Sequence, residues 1–147
     1  MYKRQDPDFD LSTLPNQLDP ARIALGITKA VPAGIYAKEA LTSLGLWADT
    51  APFTVQTDNV RAALRLVALG EVDYAIVYQT DALQEARVHV LAQIPQSTHA
   101  PILYPAGQIA DTEQAAQYLA FLHSPKAQAI FTEYGFVPIS KPAKGGS

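Results

Sequence analysis

Short apolar runs alternate along this chain with stretches in which apolar residues return every third or fourth position. Arg22 to Ile27 is a run suited to a buried strand. After a loop at Thr28 to Val31, residues Ala33, Tyr36, Ala37, Ala40, Leu41 and Leu44 fall on one helical face. Pro32 sits where proline is favoured, in the first turn, and Gly45 where a left-handed C-terminal cap is expected. Phe53 to Gln56 is a second short strand, and Thr57 or Asp58 can cap the helix that follows. That helix is striped by Val60, Ala63, Leu64 and Val67 and ends at Gly70. Tyr74 to Tyr78 is apolar throughout, as in a strand buried on both faces of a parallel sheet. Thr80 to Ala86 is predicted as a short helix and Val88 to Ile94 as a fourth strand.

The flanks read differently. Asp6 to Pro20 is rich in Asp and Pro, with one helical turn predicted at Ser12 to Asn16. Ala100 to Ile109 is broken by Pro101 and Pro105, which fits an edge strand or a crossover between domains. Asp111 starts a helix striped by Ala115, Tyr118, Leu119 and Leu122. Ser124-Pro125 restarts a helix carrying Ala129, Ile130 and Phe131, which ends at Gly135. Phe136 to Ile139 is a short terminal stretch, and 140–147, rich in Lys, Pro and Gly, is predicted to be disordered.

The alternation strand–helix–strand–helix–strand predicts an α/β fold with a mostly parallel sheet flanked by helices. In such sheets ligands sit outside the carboxyl ends of the strands. Ala33, Val60 and Tyr78 all fall at or just past such an end, so they are expected to converge on one edge. Helix N-termini present unpaired N–H groups and a positive dipole end. Two of them beside a hydroxyl form a site for an anion.

Composition narrows the choice. The chain has 147 residues, enough for a domain with a real core, and 48% of them are apolar. A net charge of −3 with no basic cluster argues against a nucleic-acid partner. A small anion is still admissible, because local backbone dipoles decide its binding. No apolar run approaches the roughly 20 residues of a membrane-spanning helix. There is no cysteine, which excludes disulfides, zinc–thiolate sites and cysteine nucleophiles. His89, His99 and His123 are too scattered for a metal site. No carboxylate pair, G-x-S-x-G, P-loop or G-x-G-x-x-G is present, so the expectation is a protein that is not an enzyme and has no cofactor. Residues 1–5, Met-Tyr-Lys-Arg-Gln, match the translation of a common transposase sequencing adapter, and no signal-peptide apolar region follows them. Natural sequence is expected to start near Asp6.

Four pieces in order make the pattern specific: Val31-Pro-Ala-Gly-Ile-Tyr-Ala-Lys-Glu-Ala-Leu41; Asp58 to Leu64; Ile76-Val-Tyr78 with Asp81-Ala82; and Ile130-Phe131 through Tyr134-Gly-Phe136. Together they resemble the periplasmic molybdate-binding component of bacterial ABC transporters, over about Arg22 to Phe136. The resemblance implies a type II periplasmic binding protein-like lobe with added C-terminal helices. It implies that 6–99 is the second lobe of a bilobal protein and that 100–139 is the return crossover and helices partly belonging to a missing first lobe. It also implies that Ala33 and Val60 donate backbone N–H groups and Tyr78 its phenol O–H to molybdate or tungstate. Two serines used by the family's first lobe precede this chain's start, and Ser12 and Ser43 lie in no matching motif.

A site made only of donors suits a dianion that carries no proton at neutral pH, and leaves a protonated phosphate's O–H without an acceptor. The further expectations are a periplasmic monomer that delivers its oxyanion to a membrane permease, and weak or absent molybdate binding by this chain alone. The alternative is the ligand-sensing lobe of a cytoplasmic transcriptional regulator. Without the resemblance, Tyr78 would be a core tyrosine with a satisfied O–H, and Ala33 and Val60 packing residues. Arg61 and Lys38, the nearest cations in sequence, are expected on solvated faces or as sources of long-range attraction.

Overall fold

Three parallel strands share one sheet in the order β2–β1–β3. They are β1 (Ile23–Gly26), β2 (Thr54–Thr57) and β3 (Tyr74–Ala75). The computed structural model describes residues 9–139. The readings of Met1 to Gln5 as adapter-derived and of 140–147 as a disordered tail therefore lie outside the described residues.

The central strand β1 is buried along its whole length, and its register sets Ile23 against both Thr54 and Tyr74 and Gly26 against Thr57. Because successive side chains of a strand point to opposite faces, this register sorts the core into two layers. On one face Ile23 and Tyr74 pack with Leu14, Leu18 and Leu41. Leu41 belongs to helix α1 (Pro32–Ser43), and Leu14 to a 3-10 turn (Leu11–Gln17) whose cap is the Asp10 carboxylate, accepting from Ser12 N–H at 2.9 Å. On the other face Ala24 packs with Ala63 of helix α3 (Val60–Ala68) and with Val72, while Val55, Ala75 and Val77 lie partly buried against them. Helices therefore cover both sides of the sheet, the arrangement predicted from the alternation of strands and helices. A one-turn helix, α2 (Trp47–Thr50), follows α1 and leads into β2.

Helix ends follow local chemistry. Pro32 opens α1, and Gly45 and Gly70 take the left-handed conformation (φ 74° and 73°) just past α1 and α3. The cap of α3 is Asn59, whose side chain accepts from Ala62 N–H at 2.8 Å, and not Thr57 or Asp58. Thr57 is taken up by the ladder as the partner of Gly26, with its hydroxyl on the Asn59 carbonyl at 2.9 Å.

Two predicted strands differ from what is observed. The ladder of β3 stops at Ala75, with one further bond from Ile76 N–H to the Ala24 carbonyl at 2.9 Å. Tyr78 then caps a four-residue helix, α4 (Gln79–Ala82), where a helix over Thr80 to Ala86 was expected. Residues Val88 to Ile94 form no strand. Their apolar alternation suits one, but a strand exists only where its N–H and C=O groups meet a neighbour, and among the described residues 89–94 carry no backbone ladder bond. Leu91 instead packs on the core from an irregular segment.

The chain divides into two compact units, Met1–Ile102 and Leu103–Ser147. The second holds α5 (Glu113–Leu122) and α6 (Pro125–Glu133), capped by the hydroxyls of Thr112 and Ser124. Ala100 to Ile109 forms no strand, so it is not an edge strand. Tyr104 meets Phe136 edge-on, with centroids 5.3 Å apart. The predicted stripe of α5 is only partly covered: Ala115, Leu119 and Leu122 are half-buried and Tyr118 is exposed.

Candidate functional site

All three strands point the same way, so the segments leaving them emerge at one carboxyl edge. Gly26 leads through Thr28 to Val31 into α1, Thr57 leads through Asp58 and Asn59 into α3, and Ala75 leads through Ile76 and Val77 to Tyr78. Residues Ala33, Val60 and Tyr78 thus lie in the opening turns of three consecutive edge segments. The strand order places β1 between β2 and β3, so the connection through α1 runs from β1 to β2 and the connection through α3 passes back beyond β1 to β3. In parallel sheets flanked by helices, ligands bind outside the carboxyl ends of the strands.

The three segments are tied together. Ile27 N–H donates to the Thr57 carbonyl at 2.9 Å, and Thr28 N–H to Gln56 Oε1 at 3.0 Å, joining the β1 and β2 exits. Val31 N–H closes back on the Ile27 carbonyl at 2.9 Å, fixing the turn into α1. Arg61 Nε lies 3.7 Å from Asp81 Oδ1, joining the first turn of α3 to α4. Asp81 N–H in turn donates to the Tyr78 carbonyl at 3.1 Å.

Among the described residues, the backbone amides of Ala33 and Val60 have no hydrogen-bond partner. This follows from their places as the second residue of α1 and the first of α3, where no preceding helical carbonyl exists to accept. At the start of α1 no side chain takes up the slack, because the capping residue is Val31. In α3 Asn59 satisfies Ala62 and leaves Val60 untouched. Ala33 is buried and Val60 and Tyr78 are half-buried. An anion placed against these turns would meet N–H groups and the positive ends of two helices.

A pair of glycines lets α1 come this close to the strand. A Cβ on Gly34 would overlap the Gly26 carbonyl, and a Cβ on Gly26 would lie 2.6 Å from Val31 Cγ1. Sequence reading singled out neither residue. The signal available was a glycine ending an apolar strand, followed by another inside the first turn of the next helix. The Arg61–Asp81 link also escaped it, since charges 20 residues apart in sequence show no local pattern. Arg61 is indeed solvated, with its side chain 87% exposed, whereas the Asp81 side chain is 16% exposed. Lys38 lies over the Trp47 ring at 5.7 Å.

No group of three metal-ligating side chains occurs among the described residues. His99 packs against Tyr36 with ring centroids 5.9 Å apart and planes tilted by 49°, and Ala100 N–H donates to Glu39 Oε2 at 3.0 Å, so these residues anchor the end of the first unit to α1. No described helix is long and apolar enough to cross a membrane.

The chain is similar to several known proteins. Residues 1–137 match the family model of bacterial extracellular solute-binding proteins. The Bacillus subtilis lipoprotein YvgL, named for substrate binding in an ABC transporter, is 38% identical over 132 residues, covering 88% of this chain and 51% of its own. The Escherichia coli molybdate-binding protein ModA is 37% identical over 134 residues, covering 88% of this chain and 52% of its own. A solved substrate-binding domain from Clostridium difficile, described as part of a molybdenum ABC transporter, superposes with a TM-score of 0.74 at 30% identity. That superposition covers 92% of this chain and 61% of the solved one. The chain thus spans about half the length of the curated relatives it matches. It belongs to the family of bacterial extracellular solute-binding proteins.

Proposed function

We propose that this chain supplies one lobe of a binding protein for molybdate or tungstate, which hands the oxyanion to the membrane permease of an ABC importer. The observation that carries the reading is the pair of unpartnered amides, Ala33 and Val60, in the opening turns of two helices on one sheet edge. Tyr78 adds a phenol O–H from the third edge segment. Relatives named for molybdate binding support the choice of anion. Residues 6–99 form the anion-binding lobe, and 100–139 are the return crossover and helices shared with a second lobe. That second lobe completes the cleft with further hydroxyl donors. The protein works as a periplasmic monomer and holds its ligand without a cofactor or a bare metal cation.

The donor set accounts for selectivity. Backbone N–H and phenol O–H groups can each give a proton to a fully deprotonated tetrahedral dianion. The backbone N–H groups offer nothing to accept the remaining proton of hydrogen phosphate, which leaves only a hydroxyl oxygen to take it. Closure of two lobes then removes the dianion from water and strengthens each bond.

Calorimetric titration of the complete gene product with molybdate, tungstate, sulfate and phosphate tests this. Submicromolar binding of molybdate and tungstate, with phosphate excluded, is expected. The 147-residue chain alone binds weakly or not at all, and submicromolar affinity for it would overturn the two-lobed site. Val60→Pro is the sharp variant. Asn59 is already extended (φ −160°, ψ 163°), a conformation allowed before proline, and the first helical position tolerates proline. The substitution removes the donor and keeps the helix, so affinity falls at least tenfold, at about 1.4 kcal/mol per factor of ten for one lost charge-assisted bond. Val60→Ala leaves affinity nearly unchanged.

A further inference from the structure

The contact between Arg61 and Asp81 is the one ion pair at the carboxyl edge among the described residues. It sits next to two of the proposed donors: Arg61 follows Val60, and Asp81 is three residues beyond Tyr78, with its N–H on the Tyr78 carbonyl at 3.1 Å. A carboxylate here is out of place for an anion site. Asp81 is the less solvated partner, with a side chain 16% exposed, so water screens its charge poorly. Its Oδ1 lies 3.7 Å from Arg61 Nε, and no other cation contacts it among the described residues. With the Arg61 side chain 87% exposed, this contact contributes little to folding. Its effect on an incoming dianion is larger, because each negative charge of the ligand feels the carboxylate.

We infer that Arg61 is a positioning residue that neutralises Asp81, so that the Val60 amide and the Tyr78 phenol face a tetrahedral dianion without a competing carboxylate. Asp81 in return holds Arg61 against α4, linking the first turn of α3 to the segment that carries Tyr78. This inference rests on the proposed oxyanion reading and assigns to that site a charge-compensating pair that makes no contact with the ligand. The pair acts as a unit, so its two members have opposite and coupled effects.

The test is a double-mutant cycle on the complete gene product, read by calorimetric titration with sodium molybdate at low and high ionic strength. Arg61→Gln leaves Asp81 uncompensated and weakens binding about tenfold at low salt. Asp81→Asn alone leaves affinity equal or tighter. The double variant Arg61→Gln/Asp81→Asn returns to within about threefold of the parent, as a non-additive pair should. Near 0.5 M salt the Arg61→Gln defect shrinks to about twofold, because the screening length is then only a few ångströms. A purely structural role would not produce that salt dependence. Circular dichroism melts of each variant confirm folding, and a double variant as weak as Arg61→Gln overturns the inference, since Arg61 would then serve the anion directly or shape the loop. Parent-like affinity of Arg61→Gln overturns it too. If the parent protein does not bind molybdate at all, the oxyanion reading itself fails and this inference falls with it. If the parent binds and the cycle is additive, only the inference fails.

Discussion

The two units of the chain solve the burial problem to very different degrees. In Met1–Ile102 two flanking strands and helices α1 and α3 bury β1 completely, and residues such as Leu18, Leu25 and Leu41 are out of contact with water. In Leu103–Ser147 the described part buries a single hydrophobic residue, Ala127, while Leu103, Ile109, Tyr118, Phe121, Ile130 and Tyr134 are exposed. The sequence patterns of the two look alike, since α5 carries a helical stripe as regular as that of α1. A stripe reports that a face wants cover; it does not say that the same stretch of chain provides it. The first unit has a sheet for its helices to cover, and the described residues of the second set only one short helix against another.

This contrast is open to direct attack, beginning with the largest expected effect. Gly34→Ala would drive a methyl group into the Gly26 carbonyl where α1 closes on β1. It should cost about 3 kcal/mol or more in urea denaturation. Leu41→Ala, at a fully buried position, should cost about 3 kcal/mol, whereas Ile130→Ala in the second unit, at a position 44% exposed, should cost under about 1 kcal/mol. Equal losses at Leu41 and Ile130 would erase the contrast. Thr50 sharpens the comparison in the opposite direction. Its Oγ1 is buried with no partner, so Thr50→Val should raise stability by about 1 kcal/mol.

The smallest effect is electrostatic. The Arg87 side chain, which bonds both carboxylate oxygens of Glu85 at 2.7 and 2.6 Å, lowers the Glu85 pKa from 4.5 to about 2. Since the folded value is depressed, any stabilisation from this group is present above about pH 4.5 and disappears as pH falls through about 2. A carboxyl NMR titration should show the low midpoint, and Arg87→Gln should bring it back toward 4.5.

How far these features could be read from sequence depended on whether their causes are local. Helices α1 and α3 were legible because stripe, opening residue and closing glycine agree within one stretch: Pro32 to Gly45 for the first, and Val60 to Gly70 for the second. The cap of α3 was misplaced by one or two residues, because Thr57, Asp58 and Asn59 are all competent caps and only the strand register commits Thr57 to the ladder. The absent strand at Val88 to Ile94 is a failure of the other kind. Alternation gave it the right rhythm, but strand formation depends on a neighbour that the local sequence does not contain. The edge bearing Ala33, Val60 and Tyr78 was legible for a topological reason: strands that run parallel must all exit on one side. The glycine pair and the Arg61–Asp81 link were not, since each joins residues brought together only by folding.

The central claim concerns specific amides, so it is best tested where amides are seen one by one. In a 15N–1H NMR titration of the complete gene product with sodium molybdate, the Ala33 and Val60 amide protons should move downfield together and saturate at the calorimetric stoichiometry. Amides in the middle of α5 should stay in place. Saturable molybdate binding that leaves the Ala33 and Val60 resonances unmoved would contradict the account.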